Sequence, residues 1–119
     1  MIGKWKIKYV GKVVSLNHYK SLHWRKLKTL LDPLKKEFNI RIKQYKIPPL
    51  KWMELTIIHN TRLDMDNVTG TVKPFVDCLR DCSVITDDTA KQWDILTIKS
   101  DKTLPKNTVI FEIVGETKN

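Results

Sequence analysis

Bulky and charged side chains alternate at the start of the chain. In residues 4–10 the side chains of Trp5, Ile7 and Tyr9 fall on one side, and lysines fall on the other. An alternation with a period of two predicts a β-strand with one buried face. The row of lysines is typical of a strand at the edge of a sheet, because charges there discourage pairing with another chain.

Two later segments carry apolar residues at helical spacing. The first stripe predicts a helix with a basic polar face; it consists of Leu27, Leu30, Leu31, Leu34 and Phe38. Pro33 lies inside this stripe, so we expect it to kink the helix or to restart it with Asp32 as the N-cap. The second stripe predicts a helix with Pro74 in its first turn; it consists of Val72, Phe75, Val76 and Leu79.

Segments rich in β-formers complete the pattern. Residues 52–59 predict a central strand, and residues 93–98 and 109–113 predict two further strands that we expect to form a hairpin. Residues 39–51 are basic and proline-broken, which favours a loop. We therefore expect an α/β (α+β) fold, with a small mixed sheet of about four strands and two main helices. The length of 119 residues fits a single domain over residues 1–119.

Composition narrows the choice of compartment and partner. No apolar run approaches the roughly 18 residues that a membrane-spanning helix needs, and the N-terminus lacks the apolar core of a signal peptide. We therefore expect a cytoplasmic protein without a membrane partner. The net charge of +9 is compatible with a basic surface that serves solubility alone, or with a polyanionic partner, of which nucleic acid is the commoner kind.

One stretch departs from this basic background. Residues 64–88 hold six of the 13 acidic residues of the chain and only two basic ones, Lys73 and Arg80. The six acids are Asp64, Asp66, Asp77, Asp81, Asp87 and Asp88. Crowded like charges repel, so this acidic stretch needs a physical reason. The acids are either solvated turn and cap residues, or ligands that converge on a divalent cation.

The order of the acids favours the second interpretation. Asp64 and Asp66 follow the predicted central strand, a helix comes next, and Asp87 and Asp88 precede another extended segment. We expect the strand–helix–strand unit to bring these ends together. Carboxylate oxygens select hard ions such as Mg²⁺ or Mn²⁺, which activate water and clamp a phosphodiester. Lys73, at the start of the helix, is then a candidate to neutralise charge on the phosphate.

The same residues carry a resemblance to a known family. Asp64-x-Asp66-Asn67, then Lys73-x-x-x-Asp77-x-Leu79, then Val84-Ile85-x-Asp87-Asp88 resembles the signature of the RusA family of Holliday junction resolvases, which are crossover junction endodeoxyribonucleases common in bacteria and their prophages. The segments Leu16-Asn17-His18-Tyr19 and His23-Trp24-Arg25-Lys26 are also similar to the N-terminal part of that family. The likeness extends from about residue 14 to residue 114.

The resemblance implies a small α/β homodimer in a bacterial or phage-infected cell, which cuts four-way DNA junctions with Mg²⁺ or Mn²⁺. Carried over by position, Asp64, Asp66 and Asp88 match the metal-binding carboxylates, with Asp87 beside them. Lys73 matches the catalytic lysine. The remaining matches are supporting residues, namely Asn67 and Asp77. Five residues separate Asn67 from Lys73, more than in the best-known form of the family, and we expect them to lengthen the loop before the helix.

Basic residues outside the motif are the expected DNA contacts. The candidates come from the first helix and from the strand end, and they are His23, Arg25, Lys26, Lys28 and Arg62; residues 41–51 add further basic side chains. A packing role for His23 is the alternative. We expect Tyr19, Trp24 and Trp52 in the core or an interface. Two other functions remain open, a basic nucleic-acid-binding module without catalysis and a less selective nuclease acting on flaps or forks.

Overall fold

The computed structural model describes residues 1–63, 67–86 and 89–118. Seven elements follow one another along these residues: β1 (Ile2–Val10), α1 (Leu16–Ser21), α2 (Trp24–Tyr45), β2 (Leu50–Asn60), α3 (Thr69–Asp81), β3 (Trp93–Ser100) and β4 (Thr108–Thr117). The strands form one mixed sheet in the order β1-β4-β2-β3. The expected α+β fold with a small mixed sheet is confirmed. The short helix α1 adds to the two helices that the apolar stripes predict.

Strand β4 lies between β1 and β2 and is antiparallel to both, whereas β3 pairs with β2 in parallel. The expected position of β1 at a sheet edge is confirmed, and so is the central place of β2. The expected hairpin of the last two strands is wrong. Residues 101–107 instead carry the chain around the end of β2, where the Asp101 amide donates to His59 O at 2.9 Å and the Asn107 amide donates to Asn60 O at 2.8 Å.

Helix α3 lies between the two parallel strands in the chain and therefore runs along the sheet in the opposite direction. We call the end where β2 finishes, at Asn60, the upper end of the sheet, and the end where β2 begins, at Leu50, the lower end. At about 3.3 Å per residue, the 11 residues of β2 separate these ends by roughly 33 Å. Each loop of the molecule can therefore be assigned to one end.

An aromatic cluster joins the helices to one face of the sheet. The rings of Phe75 in α3 and Phe111 in β4 stack at 3.8 Å between centroids, with an interplanar angle of 5°. Phe38 in α2 packs edge-on against both rings and against Tyr9 in β1, at 5.1 to 5.4 Å. All three phenylalanines are fully buried. The alternation of β1 is confirmed, because Ile7 and Tyr9 are buried on this face while the lysines are exposed.

Helix α2 is longer and less interrupted than its sequence suggests. It continues through Pro33 and ends at Tyr45, followed by Lys46 in a left-handed conformation with φ of 50°. The expected restart at Asp32 is therefore wrong, and most of the loop expected over residues 39–51 is helical. The reason is that Ile42 continues the buried stripe of α2 after Leu34 and Phe38, so packing on the sheet outweighs the proline.

Helix α3 begins at Thr69, which makes most of the segment between Asn67 and Lys73 helical. The expected longer loop is wrong, and Pro74 lies in the second turn rather than the first. Two contacts with the chain before α1 explain the early start. A Cβ at Gly70 would lie 2.4 Å from the Ser15 carbonyl carbon, so only glycine allows this approach. The Thr71 hydroxyl accepts from Val14 N at 3.0 Å and donates to Val14 O at 2.9 Å.

Replacement of Gly70 by alanine should therefore destabilise the fold. The added methyl group would contact backbone atoms of Ser15 and Leu16 within 2.6 Å, and those atoms cannot move without shifting α3. We expect a loss of about 1–3 kcal/mol in the free energy of unfolding, measured by urea titration. Gly3→Ala is the matched control, because the three atoms nearest to its added Cβ belong to the side chain of Trp5 and not to the backbone. An equal effect of the two substitutions would contradict the close approach at Gly70.

Candidate functional site

Four of the sequence-predicted site residues, Asp64, Asp66, Asp87 and Asp88, lie outside the described residues. The residues that flank the first pair are described, and both lie at the upper end of the sheet. The Leu63 amide donates to the Thr61 hydroxyl at 3.2 Å, one turn beyond the end of β2. On the other side, Asn67 O accepts from Leu16 N at 2.9 Å, two residues before α3 begins at Thr69.

The residues that flank the second pair, Asp87 and Asp88, lie at the lower end of the sheet. The amide and hydroxyl of Thr86 both donate to Gln92 Oε1 at 2.8 Å. Gln92 in turn donates from Nε2 to Leu50 O at 3.3 Å, and its own carbonyl accepts from Met53 N at 2.7 Å. These contacts place residues 84–86 and 89–93 at the lower end, beside the start of β2.

The expectation that the strand–helix–strand unit brings its two strand ends together is therefore wrong. In a parallel pair the end of the first strand and the start of the second lie at opposite edges of the sheet. Within the described ranges, no group of three acidic, histidine or cysteine side chains could hold a metal ion. The four aspartates outside those ranges would supply hard oxygen donors, a set whose chemistry fits Mg²⁺ or Mn²⁺.

Asp77 and Asn67, the expected supporting residues, have structural partners. The Asp77 carboxylate pairs with Lys35 of α2 at 3.3 Å and with Arg80 at 2.9 Å. This ion pair joins α3 to α2 one turn beyond Lys73. Asn67 contributes its carbonyl, which accepts from both Leu16 N and Gly70 N. The Asp77 carboxylate and the Asn67 carbonyl therefore both help to fix the position of α3.

Lys73 is exposed and forms no ion pair with a described residue. It lines a cavity of about 240 Å³ between α3 and β3, together with Trp93 and Leu96 of the edge strand. The buried stripe of α3 faces the sheet. The packing of Val72 and Val76 in that stripe therefore places Lys73 on the exposed side of the helix. An unpaired lysine held on a rigid helix is suited to contact a phosphate.

The basic start of α2 points beyond the upper end of the sheet, because Thr29 and Leu30 already line a cavity with Lys12. Trp24 is 63% exposed, so the expected core position is wrong, whereas the expected interface position stays a prediction. The Arg25 guanidinium lies 5.2 Å from the Trp24 ring centroid, and the His23 ring lies 5.6 Å from it. His23 also caps the helix by accepting from Arg25 N at 3.3 Å. The packing role considered for His23 is thus a capping role at an exposed site.

The remaining basic candidates differ in whether they pair with an acid among the described residues. Lys26, Lys28 and Arg62 are exposed and pair with no described acid. Arg41 is different, because it donates to Glu37 at 2.7 Å and to Lys8 O at 2.6 Å. Arg41 therefore ties α2 to β1 and is a poor phosphate ligand. Sequence reasoning missed Lys102 in the turn after β3, since no spacing in the sequence relates it to Arg62.

His59 is a buried titratable group at the upper end. It is only 2% exposed, and its Nδ1 hydrogen-bonds with the Thr61 hydroxyl at 2.9 Å. Its Nε2 is buried and has no hydrogen-bond partner among the described residues. Burial, and then the positive charge of Lys102, lower the pKa of His59 below its ordinary value of 6.5. The imidazole is therefore held in its neutral form within the fold.

This burial predicts a stability that falls in acid. The neutral histidine is favoured in the folded state, so stability is full above about pH 6.5, the unfolded pKa. It decreases as the pH falls toward the lower, folded-state pKa, because the unfolded chain then binds the extra proton. His59→Gln should reduce this loss between pH 6.5 and 5 in urea titrations. Identical pH profiles for the wild type and His59→Gln would refute the prediction.

Comparison with known proteins gave no relative. A scan against protein-family models and a search of curated proteins both found no match. No helix within residues 1–63, 67–86 and 89–118 is long and apolar enough to cross a membrane. Function is therefore inferred from the residues and their arrangement.

Proposed function

We propose that the protein is a metal-dependent endonuclease that cuts four-way DNA junctions by paired phosphodiester hydrolysis, in the manner of the RusA-type resolvases that its acidic motif resembles. One observation carries the proposal. Basic side chains that pair with no described acid, among them Lys12, Arg62 and Lys102, line clefts at the upper end of the sheet, which is also the end that leads into residues 64–66. A polyanion bound there would lie beside the first acidic pair.

The chain itself supplies the grip on DNA. Exposed cations on the first turns of α2 and after β2 would contact phosphates and make binding strongly dependent on salt; they are Arg25, Lys26, Lys28 and Arg62. Trp24 adds a flat apolar surface beside them, backed by the Arg25 guanidinium. Unpaired bases stack on such rings with about 1–3 kcal/mol each, and a four-way junction exposes bases at its crossover when it is distorted.

The reaction divides between the metal and the protein. Mg²⁺ or Mn²⁺, held by Asp64, Asp66 and Asp88 with Asp87 beside them, would activate water and polarise the phosphodiester. Lys73 would donate hydrogen bonds to the phosphate as negative charge accumulates on it. The ion pair of Asp77 with Lys35 and Arg80 would hold α3, and therefore Lys73, in a fixed position against α2.

A second copy of the chain would bring together the two ends of the sheet that lead to the two acidic pairs. Strand β3 is an edge of the sheet, and its Ile95 and Leu96 are 45% and 38% exposed. Antiparallel pairing of β3 with its counterpart would place the upper end of each copy beside the lower end of the other. The β2 strand of one copy and the β3 strand of its partner would then be two strand spacings apart, about 10 Å. Each active site would combine Asp64 and Asp66 of one copy with Asp88 of the other.

The first test is cleavage of a synthetic four-way junction with Mg²⁺ or Mn²⁺. Loss of a metal ligand should abolish most of the activity, so Asp66→Asn should lower the rate of nicking at least about 100-fold. Asp81→Asn is the matched control, because this substitution removes the same charge from the same stretch at a position outside the motif. Both variants should unfold at similar temperatures.

The outcomes also separate the other functions. Equal cleavage by Asp66→Asn and wild type would reject Asp66 as a ligand. Junction binding that is independent of metal, without any products, would favour a binding module. Cleavage of flaps, forks and linear duplexes at similar rates would favour a less selective nuclease.

The shared active site makes a sharper prediction. Asp66→Asn and Asp88→Asn should each be inactive alone, since every site of either homodimer lacks one ligand. Mixed under conditions that allow subunit exchange, the two variants should regain nicking, because each heterodimer contains one site with both aspartates. The product should be a single nick rather than a resolved junction.

Mixing Asp66→Asn with the Asp66→Asn, Asp88→Asn double variant is the control, and it should stay inactive. Recovered activity in the first mixture requires two copies to share a site. If the exchanged mixture stayed as inactive as its parents, each active site would belong to one chain.

A further inference from the structure

A second basic feature lies at the upper end, on the side of the turn between β3 and β4. The turn and the residues after β2 enclose a cleft of about 320 Å³. Every residue that lines it is polar or basic: Asn60, Thr61, Arg62, Lys102, Lys106 and Asn107. A neighbouring cleft of about 350 Å³ shares Arg62 and Asn107 with the first and adds Lys12. We call the two together the turn cleft.

The backbone around the turn cleft is held at several points. The Asp101 and Asn107 amides donate to the last two carbonyls of β2, at 2.9 and 2.8 Å. The Asn60 side chain donates from Nδ2 to Leu104 O at 2.6 Å, in the middle of the turn. The Gly11 amide donates to Asn107 O at 3.1 Å, which joins the residues after β1 to the same turn. Three separate segments therefore present their cations from fixed positions.

The cations of the turn cleft have no acidic counterpart among the described residues. Arg62, Lys102, Lys106 and Lys12 form no ion pair there. The nearest acid in the turn, Asp101, already accepts from the amide and hydroxyl of Thr103, at 2.9 and 2.5 Å. Four like charges brought together repel one another, and this repulsion is relieved when an anion binds.

The lysines of β1 show the opposite arrangement. Lys4 and Lys6 lie 3.3 and 3.7 Å from the Glu112 carboxylate on the neighbouring strand. Two lysines on the surface of the sheet thus lie beside an acid, whereas the cations of the turn cleft pair with no acid among the described residues. The field of Lys102 also reaches the interior, where it acts together with burial to lower the pKa of His59.

We propose that the turn cleft binds successive phosphates of one DNA strand. Arg62 offers a planar fork of donors to one phosphate, and the two lysines of the turn offer point charges to the next. The larger share of the cations lies in the part that Asn60 and Asn107 border, where every lining residue is polar or basic, which favours a phosphate backbone over an acidic protein. The choice of DNA rests on the proposed nuclease function. The assignment adds Lys12, Lys102 and Lys106 to the DNA contacts, and it extends the bound strand past the end of β2.

The test is the salt dependence of DNA binding in the absence of divalent metal, measured by fluorescence anisotropy of a labelled junction and a labelled duplex. The double variant Lys102→Gln, Lys106→Gln should weaken binding. It should also lower the slope of log affinity against log salt by about 2, since each lost phosphate contact contributes about 0.9. Lys36→Gln, Lys118→Gln is the matched control, with the same loss of charge at two exposed positions outside the turn cleft; its slope should match wild type.

Equal slopes for the two double variants, with both proteins folded by thermal unfolding, would overturn the proposal and leave only a general effect of charge. An unchanged slope for the cleft variant, with weaker competition by inorganic phosphate, would also overturn it, because the cleft would then hold a free anion. Failure of the nuclease function looks different: the wild-type protein would bind DNA with the expected slope and leave junctions uncut in Mg²⁺ or Mn²⁺.

Discussion

The parallel pairing of β2 with β3 is the constraint on which the rest of the molecule depends. Two consecutive strands can run parallel only if the chain between them returns along the whole sheet, and α3 makes that return. The acidic motif begins after β2 and ends before β3, so its two halves start from opposite ends. A protein that uses both halves in one reaction needs a second copy, and the two-fold symmetry of a four-way junction suits a protein with two identical sites.

The packing of α3 determines in which direction the motif residues on this helix, Lys73 and Asp77, point. Phe75 stacks on Phe111 at 3.8 Å and fixes the rotation of the helix, while Gly70 sets its height against the backbone of Ser15 and Leu16. With the apolar stripe turned to the sheet, Lys73 is left on the exposed side beside β3. Asp77, one turn further, is drawn to Lys35 of α2. The core thus orients Lys73 in one direction and the Asp77 carboxylate in another.

Local periodicity predicted the parts of this fold that depend on one-sided burial. The alternation around Ile7 and Tyr9 and the stripe through Leu34 and Phe38 both arise because one face of each element meets the core. Periodicity failed where a distant contact decides. Ile42 keeps α2 helical past its expected end because the sheet extends beneath it, and Gly70 joins α3 because the chain at Ser15 passes close by.

The same distinction applies to the site. The types and order of the motif residues could be read from the sequence because they are a local pattern. The ends of the sheet from which the described flanking residues lead into the motif could not, because they depend on which strands pair. The hairpin expected for β3 and β4 would have placed the turn at 101–107 elsewhere. Lys102 and Arg62 are 40 residues apart and meet only because that turn passes over the end of β2.

Charge arrangement rather than net charge separates the two surfaces of the molecule. The net charge of +9 would be compatible with a uniformly basic surface that serves solubility alone. The described ion pairs are not uniform, however. Glu112 pairs with Lys4 and Lys6 of β1, and Asp77 pairs with Lys35 between the helices, whereas the cations of the turn cleft pair with no acid among the described residues. Unpaired cations on three segments repel one another and weaken the fold unless an anion is bound there. Such a surface fits the proposed binding of a phosphate backbone better than it fits a role in solubility alone.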